Sequence, residues 1–494
     1  MNLKENLQHY IDAGYPIIYI DTFEERKTDG IISSVIGGRE AVEWNGAKGF
    51  VDFKTKQPLI ENKTLAETLR LLNIDDDFDG KILILKDIHP YLTADHPDEI
   101  ALLKNLAQRI VAGLDARIIM VSPVRAIPRE LEKFITMLES DYLTQDDIKE
   151  CVRHFAKEQE LSLSDDLLEE LSMALKGMNA FEIESLLSAA LVTNGELTRD
   201  DLKLIFVQKQ QMVMKSGVLE MVSVKESVND IGGLENLKEW LHRKSKVYKS
   251  INKAMEFGVE IPKGMLIAGV PGCGKSLTAK VTAGMFEVPL LRLDMGKIMG
   301  KYVGESEENM RRAIALAEAI APCVLWIDEL EKAFAGISGS GNEVTVRLFG
   351  TFLTWMQEKT SSAFVIATAN DITKLPPELM RKGRFDEIFY VGLPNETERK
   401  KIFEIHIGKR RKKDLSSINM SEIVKRTEGF SGADIEGVVK DAVKCAFIDD
   451  KESLTTEYIL DAIKATHSLS EIMKDSLDKL SKEYEQRKFK KASR

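Results

Sequence analysis

The chain has 494 residues, of which 44% are hydrophobic and 30% are charged, and its formal net charge at pH 7 is −10. This length and composition predict a globular protein of about three modules of ordinary size. The sequence lacks an apolar run of about 20 residues, which argues against membrane insertion. Its acidic balance makes nucleic acid an unlikely partner, because phosphate neutralisation needs clustered Lys and Arg.

The cysteines indicate a reducing compartment. Cys151, Cys273, Cys323 and Cys445 lie far apart and form no Cys-x-x-Cys pair. Such spacing argues against a disulfide framework. The first residues also lack the apolar core of a secretory signal. We therefore expect a cytoplasmic protein.

Residues 1–205 show a weak alternation of strands and helices. Apolar runs at 16–21, 81–87 and 116–122 are typical of buried strands, and a helical block covers 144–205. The first run is followed by Thr22-Phe-Glu-Glu-Arg-Lys27, which has no glycine and carries two carboxylates that would repel a triphosphate. These features predict a degenerate nucleotide-binding module without a phosphate loop. An unrelated α/β domain is the alternative.

The remainder predicts an α/β module with a helical addition. We interpret 206–228 as a linker, because it is polar and weakly periodic. Between 229 and 393, predicted strands at 264–268, 289–293, 323–327, 363–367 and 388–391 alternate with helical stretches, which indicates a parallel sheet covered by helices on both faces. Residues 394–467 are helical only. Residues 468–494 predict one amphipathic helix ending in a solvated basic tail.

The most specific motif is Gly269-Val-Pro-Gly-Cys-Gly-Lys-Ser276. It matches G-x-x-x-x-G-K-[ST] and lies between an apolar run and a helical pattern, as a phosphate-binding loop requires. Its glycines let backbone N–H groups face the phosphates. Lys275 is expected to reach the β- and γ-phosphates, and Ser276 to ligate Mg²⁺. The residues expected around the nucleotide are Pro271, Gly272, Cys273, Gly274, Lys275, Ser276 and Leu277.

Two acids follow the predicted strand at 323–327. Ligands bind at the carboxyl edge of open α/β sheets, where Asp328 and Glu329 are expected to lie. Asp328 can hold Mg²⁺ through water. Glu329 is placed to orient and deprotonate an attacking water.

Three further polar residues are candidates for catalysis. Asn370 follows the strand at 363–367 and can hydrogen-bond the attacking water or the γ-phosphate, although a turn-forming role is the alternative. Arg381 and Arg384 flank a turn, and guanidinium groups stabilise the charge of a transferred phosphoryl group. The alternative is two surface arginines in a loop.

Together these motifs resemble those of the AAA-type ATPases of the AAA+ superfamily. The resemblance covers about 229–467 and includes Asp230-Ile-Gly-Gly-Leu234, Gly304-Glu-Ser-Glu307, Gly383-Arg-Phe-Asp386 and Gly429-Phe-Ser-Gly-Ala-Asp-Ile435. It implies a P-loop NTPase sheet with a C-terminal helical lid, ATP and Mg²⁺ as ligands, and a homo-oligomeric ring, expected to be a hexamer.

The resemblance also implies roles for single residues. Asn370 becomes the polar sensor, and Arg381 and Arg384 become arginine fingers that act on ATP bound to the neighbouring subunit. The further residues expected beside the nucleotide are Asp230, Gly232, His406, Gly432 and Ala433. Val270 and Cys273 depart from the family's Pro and Thr, at positions whose side chains phosphate binding does not need.

Two segments resemble the pore loops of the same family. Lys301, Tyr302 and Val303 correspond to the loop whose aromatic side chain grips an extended polypeptide, and an aromatic ring offers large, sequence-tolerant contact area. A tyrosine packed at a helix start is the alternative. Residues 336–341 resemble the second pore-facing loop, with a flexible linker as the alternative.

A module without a phosphate loop before one intact AAA module is similar to a family of bacterial, cyanobacterial and plastid-encoded ATPases. A plastid-encoded member would reside in the stroma. We expect an ATPase that couples Mg-ATP hydrolysis to remodelling or translocation of a protein substrate through a ring. The alternative is a nucleotide-gated regulator or scaffold with slow ATPase activity that acts on one specific partner.

Overall fold

The structure is a computed structural model that describes residues 3–60, 63–74, 78–139, 143–299, 305–334, 343–381, 383–487 and 489–494. The chain divides into two compact units, Met1–Leu202 and Lys203–Arg494. Among these described residues, each unit contains one seven-stranded sheet. None of the described helices is long and apolar enough to cross a membrane.

The first unit is an α/β module followed by helices. Its strands are β1 (Ile17–Asp21), β2 (Ala41–Asn45), β3 (Gly49–Asp52), β4 (Pro58–Ile60), β5 (Ile82–Lys86), β6 (Arg117–Ser122) and β7 (Ile135–Glu139). Its helices are α1 (Leu3–Asp12), α2 (Glu25–Val35), α3 (Leu65–Ile74), α4 (Pro97–Val111), α5 (Gln145–Glu158), α6 (Asp165–Ala174) and α7 (Ala180–Asn194). The strand order is β4-β3-β2-β5-β6-β1-β7.

The second unit contains the other sheet and most of the helices. Its strands are β8 (Leu219–Val222), β9 (Gly264–Gly269), β10 (Leu290–Leu293), β11 (Cys323–Ile327), β12 (Ala363–Ala369), β13 (Glu387–Val391) and β14 (Lys490–Lys491). The helices up to the last central strand are α8 (Asp201–Lys215), which begins at the boundary of the units, α9 (Glu235–Tyr248), α10 (Ile251–Glu256), α11 (Lys275–Phe286), α12 (Met295–Ile298), α13 (Glu305–Ile320), α14 (Leu330–Ala333) and α15 (Glu343–Glu358).

A helical lid and a C-terminal segment follow β13. The lid helices are α16 (Glu396–Arg411), α17 (Met420–Lys425), α18 (Gly432–Ile448) and α19 (Thr456–Ala465), and the segment after them contains α20 (Leu469–Ile472) and α21 (Lys474–Gln486). The lid has its own apolar core, in which Phe403, Ile435 and Val438 are fully buried.

The two sheets share one topology. The second has the order β14-β13-β9-β12-β11-β10-β8. Five neighbouring strands that run parallel are common to both sheets, and numbering them along the chain gives the order 5-1-4-3-2 in both, as β7-β1-β6-β5-β2 and as β13-β9-β12-β11-β10. In the second sheet β14 adds a further parallel strand beside β13. The predicted α/β fold, with the first unit repeating the architecture of the second, is confirmed.

Apolar residues of the strands face both sides of each sheet. In β9, Leu266 and Ala268 belong to one apolar cluster, while Met265 and Ile267 belong to another. Successive side chains of a strand point to opposite faces, so the sheet is buried between two helical layers. This burial explains why the strands read as continuous apolar runs rather than alternating ones.

The segment 206–228, predicted as a linker, is instead part of the second unit. Residues up to Lys215 continue α8, and β8 pairs antiparallel with β10. Val213, Leu219 and Met221 are buried in the main core of this unit. The prediction was wrong because the many polar residues obscured these few apolar contacts.

The C-terminal tail also differs from its prediction as a solvated end. Its strand β14 pairs with β13, and the Ala492 N–H donates to the Tyr390 carbonyl at 2.9 Å. Ala492 is fully buried, and its carbonyl accepts from the Leu237 N–H. The basic side chains of Lys490 and Lys491 remain exposed. The basic composition predicted a solvated tail because it reflects only these exposed side chains. The backbone hydrogen bonds of β14 cannot be recognised from composition.

Candidate active site

The phosphate-binding loop joins β9, whose residues are all buried, to α11. Gly272 and Gly274 have φ values of +73° and +88°, in the left-handed region that favours glycine. A Cβ on Gly272 would lie 2.9 Å from the Ala433 Cβ, so the loop packs directly against the start of α18. The Ala433 N–H donates to the Gly272 carbonyl at 3.0 Å. The loop and the lid therefore meet at the predicted residues Gly432 and Ala433.

Lys275 is the buried cation of the loop. Its side chain donates through Nζ to the carbonyls of Gly269 and Val270, each at 2.8 Å, and the residue is only 7% exposed. Burial lowers the pKa of Lys275 to about 8, although Asp328 and Glu329 favour its charged form. A bound anion would favour that form further. The site is therefore built to pair this lysine with negative phosphate groups.

Asp328 lies opposite the loop at the end of β11. The Ser276 Oγ donates to Asp328 Oδ1 at 3.3 Å, and the Thr368 Oγ1 donates to the same oxygen at 2.5 Å. Thr368 Oγ1 also accepts from the Glu329 N–H at 3.1 Å. A hydroxyl and a carboxylate at this distance are hard oxygen donors of the kind that Mg²⁺ prefers. The residues present thus fit a magnesium ion.

Glu329 is held in an uncommon backbone conformation. Its φ is 51°, and a non-glycine residue in this region persists only where its surroundings enforce it. The Asn370 Nδ2 donates to Glu329 Oε1 at 3.2 Å, and Lys332 lies 2.7 Å from Oε2 as an exposed partner. The Asn370 N–H in turn donates to Glu331 Oε1 at 3.0 Å. Asn370 therefore contacts the candidate base directly.

His406 on α16 lies at the other end of the site. Burial lowers its pKa, which favours the neutral ring at pH 7. Its Nδ1 is buried and has no hydrogen-bond partner among the described residues. An unsatisfied buried polar atom is costly unless a ligand or water completes it. This orphaned nitrogen fits a polar group of a bound nucleotide.

Asp230 and Gly232 lie in the segment between β8 and α9 and contact the lid helix α16. A Cβ on Gly232 would lie 2.5 Å from Ile402 Cγ1, so glycine permits this close approach. The Asp230 carboxylate accepts from the Ser227 N–H at 2.7 Å and pairs with Lys409 at 2.5 Å, and these contacts lower its pKa. The Asp230 side chain thus connects the segment before α9 to the lid helix α16.

These residues line one cavity of about 450 Å³ in the second unit. Its volume falls in the range of small-molecule sites. The lining contains the predicted residues Asp230, Gly232, Pro271, Gly272, Cys273, Gly274, Lys275, Ser276, Leu277, Asp328, Glu329, Asn370, His406, Gly432 and Ala433. Ser493 of the C-terminal tail also lines it, and its carbonyl accepts from Asn236 Nδ2 at 2.7 Å.

The two predicted finger arginines do not line this cavity. Arg381 is exposed, and Arg384 is half-buried with its Nη1 donating to the Glu378 carbonyl. Of the described residues that line the cavity, Lys275 is the only lysine or arginine. The predicted pore-loop residues Lys301, Tyr302 and Val303 lie outside the described residues, as do 336–341.

Sequence reasoning missed three residues that shape the site. Thr368 is 1% exposed and links the two acids, and Glu331 orders the backbone of Asn370. Glu398, 4% exposed, accepts from the Leu234 N–H at 3.1 Å. The motif Asn395-x-x-Glu398 signals a helix start, but a capping motif does not reveal a long-range contact.

Family comparisons agree with this geometry. Residues 265–393 match the ATPase family associated with various cellular activities (AAA), and 417–461 match the AAA+ lid domain. In the first part of the chain, 3–140 match the N-terminal domain and 146–216 the second domain of SpoVK-like AAA ATPases. The fold and the site thus define an ATPase of the AAA class.

Similar proteins show which family within the AAA class the chain belongs to. The chain is 35% identical over 490 residues to the AAA domain-containing protein ycf46 of Guillardia theta, covering 97% of this chain and 94% of that protein. The ycf46 protein of Pyropia yezoensis is 35% identical over 490 residues, covering 97% of each. The chain belongs to this ycf46 family of AAA domain-containing proteins. A cell division cycle protein 48 homolog of Archaeoglobus fulgidus is 31% identical over 303 residues, which cover 59% of this chain and 40% of that protein.

Replacing Thr368 with valine tests the link between the two acids. The change removes the hydroxyl that orders Asp328 while keeping the side-chain shape. We expect the affinity for a non-hydrolysable ATP analogue in the presence of Mg²⁺ to fall about tenfold, since a hydrogen bond to a charged group contributes about 1.5 kcal/mol. Affinity without Mg²⁺ should change little. Isothermal titration calorimetry measures both.

Thr282→Val is the matched control, because Thr282 is also fully buried and donates only to the Thr278 carbonyl within α11. Equal losses of affinity with and without Mg²⁺ in Thr368→Val would show that the hydroxyl does not act through the metal-binding acid.

Proposed function

We propose that this ATPase works as a homo-oligomeric ring, expected to be a hexamer, and uses ATP hydrolysis to remodel or translocate a protein substrate. The observation that supports the proposal most directly is that Lys275 is the only lysine or arginine among the described residues that line the cavity. Phosphoryl transfer develops charge that guanidinium groups commonly stabilise, yet Arg381 and Arg384 lie outside the cavity of their own chain. A second copy that supplies these arginines would complete the site.

The groups around the cavity have separate roles in ATP hydrolysis. Backbone N–H groups of the loop and Lys275 bind the phosphates. Asn370 and Glu329 orient a water molecule whose oxygen attacks the γ-phosphorus. The bond from that phosphorus to the oxygen bridging it to the β-phosphate breaks, and Glu329 accepts the proton of the water. Arg381 and Arg384 of a neighbouring copy stabilise the charge that develops.

Ser276 and Asp328 would hold Mg²⁺. An ion bound there would supply positive charge that neutralises part of the phosphate charge. Magnesium commonly takes only one or two protein ligands together with phosphates and water.

A second candidate is a nucleotide-gated regulator with slow hydrolysis. Both carboxylate oxygens of Glu329 are engaged, one by Asn370 and the other by Lys332. A base held in this way is less available to accept a proton. Stimulation of turnover by unfolded polypeptide favours the remodelling ring, whereas stimulation by one folded partner favours the regulator.

Mixing two inactive variants tests whether copies share a site. Glu329→Gln removes the base but keeps the arginines, and the double variant Arg381→Ala, Arg384→Ala removes the arginines but keeps the base. Each alone should hydrolyse ATP at less than about 1% of the wild-type rate. An equal mixture should recover about a quarter of it, because random assembly pairs an intact base with intact arginines at that share of interfaces.

Arg243→Ala, on the exposed face of α9, is the arginine control and should retain full activity. Sedimentation of each variant establishes that the variants still assemble. Assembled mixtures that show no recovery above the separate variants would contradict a shared site.

The protein-substrate part of the proposal rests on Tyr302 and is tested there. Tyr302→Ala removes the aromatic ring that would grip a polypeptide. We expect ATP turnover within about twofold of wild type and loss of unfolding of a tagged fluorescent protein, with Tyr302→Phe retaining unfolding. Unfolding that persists in Tyr302→Ala would contradict threading by this loop.

A further inference from the structure

We infer that the first unit contains a filled copy of the nucleotide site, in which the chain's own charged side chains replace nucleotide and metal and hold the unit in one conformation. This inference goes beyond the proposed function, whose site lies entirely in the second unit. It rests on three comparisons between equivalent elements of the two units.

The loop after the first parallel strand differs between the two units. In the second unit five residues, 270–274, separate β9 from α11, which begins at Lys275. In the first unit only Thr22, Phe23 and Glu24 separate β1 from α2, which begins at Glu25. The shorter loop contains no glycine. A glutamate thus begins the helix where the catalytic unit has its phosphate-binding lysine.

The end of the third parallel strand has the same backbone conformation in both units but carries different charges. Glu329 follows β11 with φ 51°, and Asp87 follows β5 with the same φ of 51°. Matching these two left-handed residues places Lys86 at the position of Asp328. The first unit therefore carries an acid on the helix and a cation on the strand, the reverse of the Lys275 and Asp328 arrangement.

The reversed charges pair with one another. Lys86 Nζ lies 2.8 Å from Asp29 Oδ2, 3.3 Å from Glu25 Oε2 and 3.8 Å from Glu43 Oε2. Lys56 Nζ approaches Glu43 at 2.5 Å and Asp29 at 3.2 Å. The side chains of Lys86 and Glu43 are 7% and 3% exposed. Buried charges persist where they are paired, and each charged group of this cluster has an opposite charge of the chain itself within 4 Å, although Asp29 Oδ1 has no hydrogen-bond partner among the described residues. The pairing needs neither phosphate nor metal.

The helical parts of the two units contact the loop after the first parallel strand in similar ways. Asn179-Ala-Phe-Glu182 begins α7, and Ser431-Gly-Ala-Asp434 begins α18, each with a reciprocal capping box. In the second unit the N-terminus of α18 contacts the phosphate loop through the Ala433 N–H. In the first unit the Ala180 N–H donates to Glu24 Oε1 at 2.8 Å.

A carboxylate at a helix N-terminus is favoured for the same reason that a phosphate is, because the helix dipole and unpaired N–H groups attract negative charge. Glu24 is largely buried, with 13% of its side chain exposed. It connects the loop after β1 to α7 with an anion that belongs to the chain. The contact between the α/β part and the helical part of this unit therefore needs no ATP.

Two properties follow. The first unit should bind no nucleotide, and its conformation should stay constant while the second unit binds, hydrolyses and releases ATP. A unit that ATP does not move is suited to hold a partner in a constant geometry.

Hydrogen exchange on the full chain tests the constant conformation. We expect peptides covering 179–187 to exchange at the same rate without nucleotide, with ADP and with a non-hydrolysable ATP analogue. Peptides covering 431–439 should become protected when nucleotide binds. Nucleotide-dependent protection at 179–187 would overturn the inference.

Variants of Glu24 test its role in the same measurement. Glu24→Ala should raise exchange at 179–187 at least about tenfold, because the amide loses its acceptor. Glu24→Gln, which keeps an acceptor oxygen, should raise it less. Glu40→Ala, which alters a more exposed ion pair with Lys81, is the control and should leave exchange unchanged. Exchange in Glu24→Ala equal to that of the control would refute the role of this carboxylate.

Calorimetric titration with the non-hydrolysable ATP analogue measures the number of nucleotide-binding sites per chain. We expect about one nucleotide per chain, and no binding in Lys275→Ala. Binding that persists in Lys275→Ala and disappears in Lys86→Ala would overturn the inference. Neither exchange nor binding requires hydrolysis or ring assembly, so failure of the proposed function would leave these results interpretable.

Discussion

The candidate active site depends on the parallel pairing of three strands, β9, β12 and β11. Pairing β12 between the other two brings the phosphate loop, Asn370 and the two acids to one edge of the sheet. Thr368 then joins the ends of β11 and β12 by bonding both Asp328 and the Glu329 backbone. The sheet sets the positions, and this hydroxyl sets the orientation of the acids.

Much of this arrangement could be predicted, because short motifs report local chemistry. The phosphate loop, Asp328, Glu329 and Asn370 each follow a strand that reads as an apolar run, and in a parallel sheet the carboxyl ends of strands share an edge. Thr368 was missed because a threonine within a buried strand resembles any small β-branched residue. Only the register of β11 against β12 shows that its hydroxyl reaches the acids.

The errors have a common cause. Strands β8 and β14 are short edge strands. In β8 a few buried apolar residues lie among polar ones, and the backbone pairing of both strands is not reported by side-chain composition. For β14 the consequence reaches the site, because its pairing carries the chain to Ser493 on the cavity wall. Only the acidic part of the charge reversal in the first unit could be predicted from the sequence. Glu24 and Glu25 indicated repulsion of phosphate, but the pairing with Lys86 required the fold.

The central claim is that one chain supplies the cavity and another supplies the arginines. The measurement that tests it most directly is the ATP hydrolysis rate per chain as a function of protein concentration, with Glu329→Gln as the blank. A site completed between copies predicts a specific rate that rises steeply with concentration and then levels off as rings form. A specific rate well above the blank and independent of concentration, in a protein shown by sedimentation to be monomeric, would mean that a single chain holds the whole site and would contradict the account.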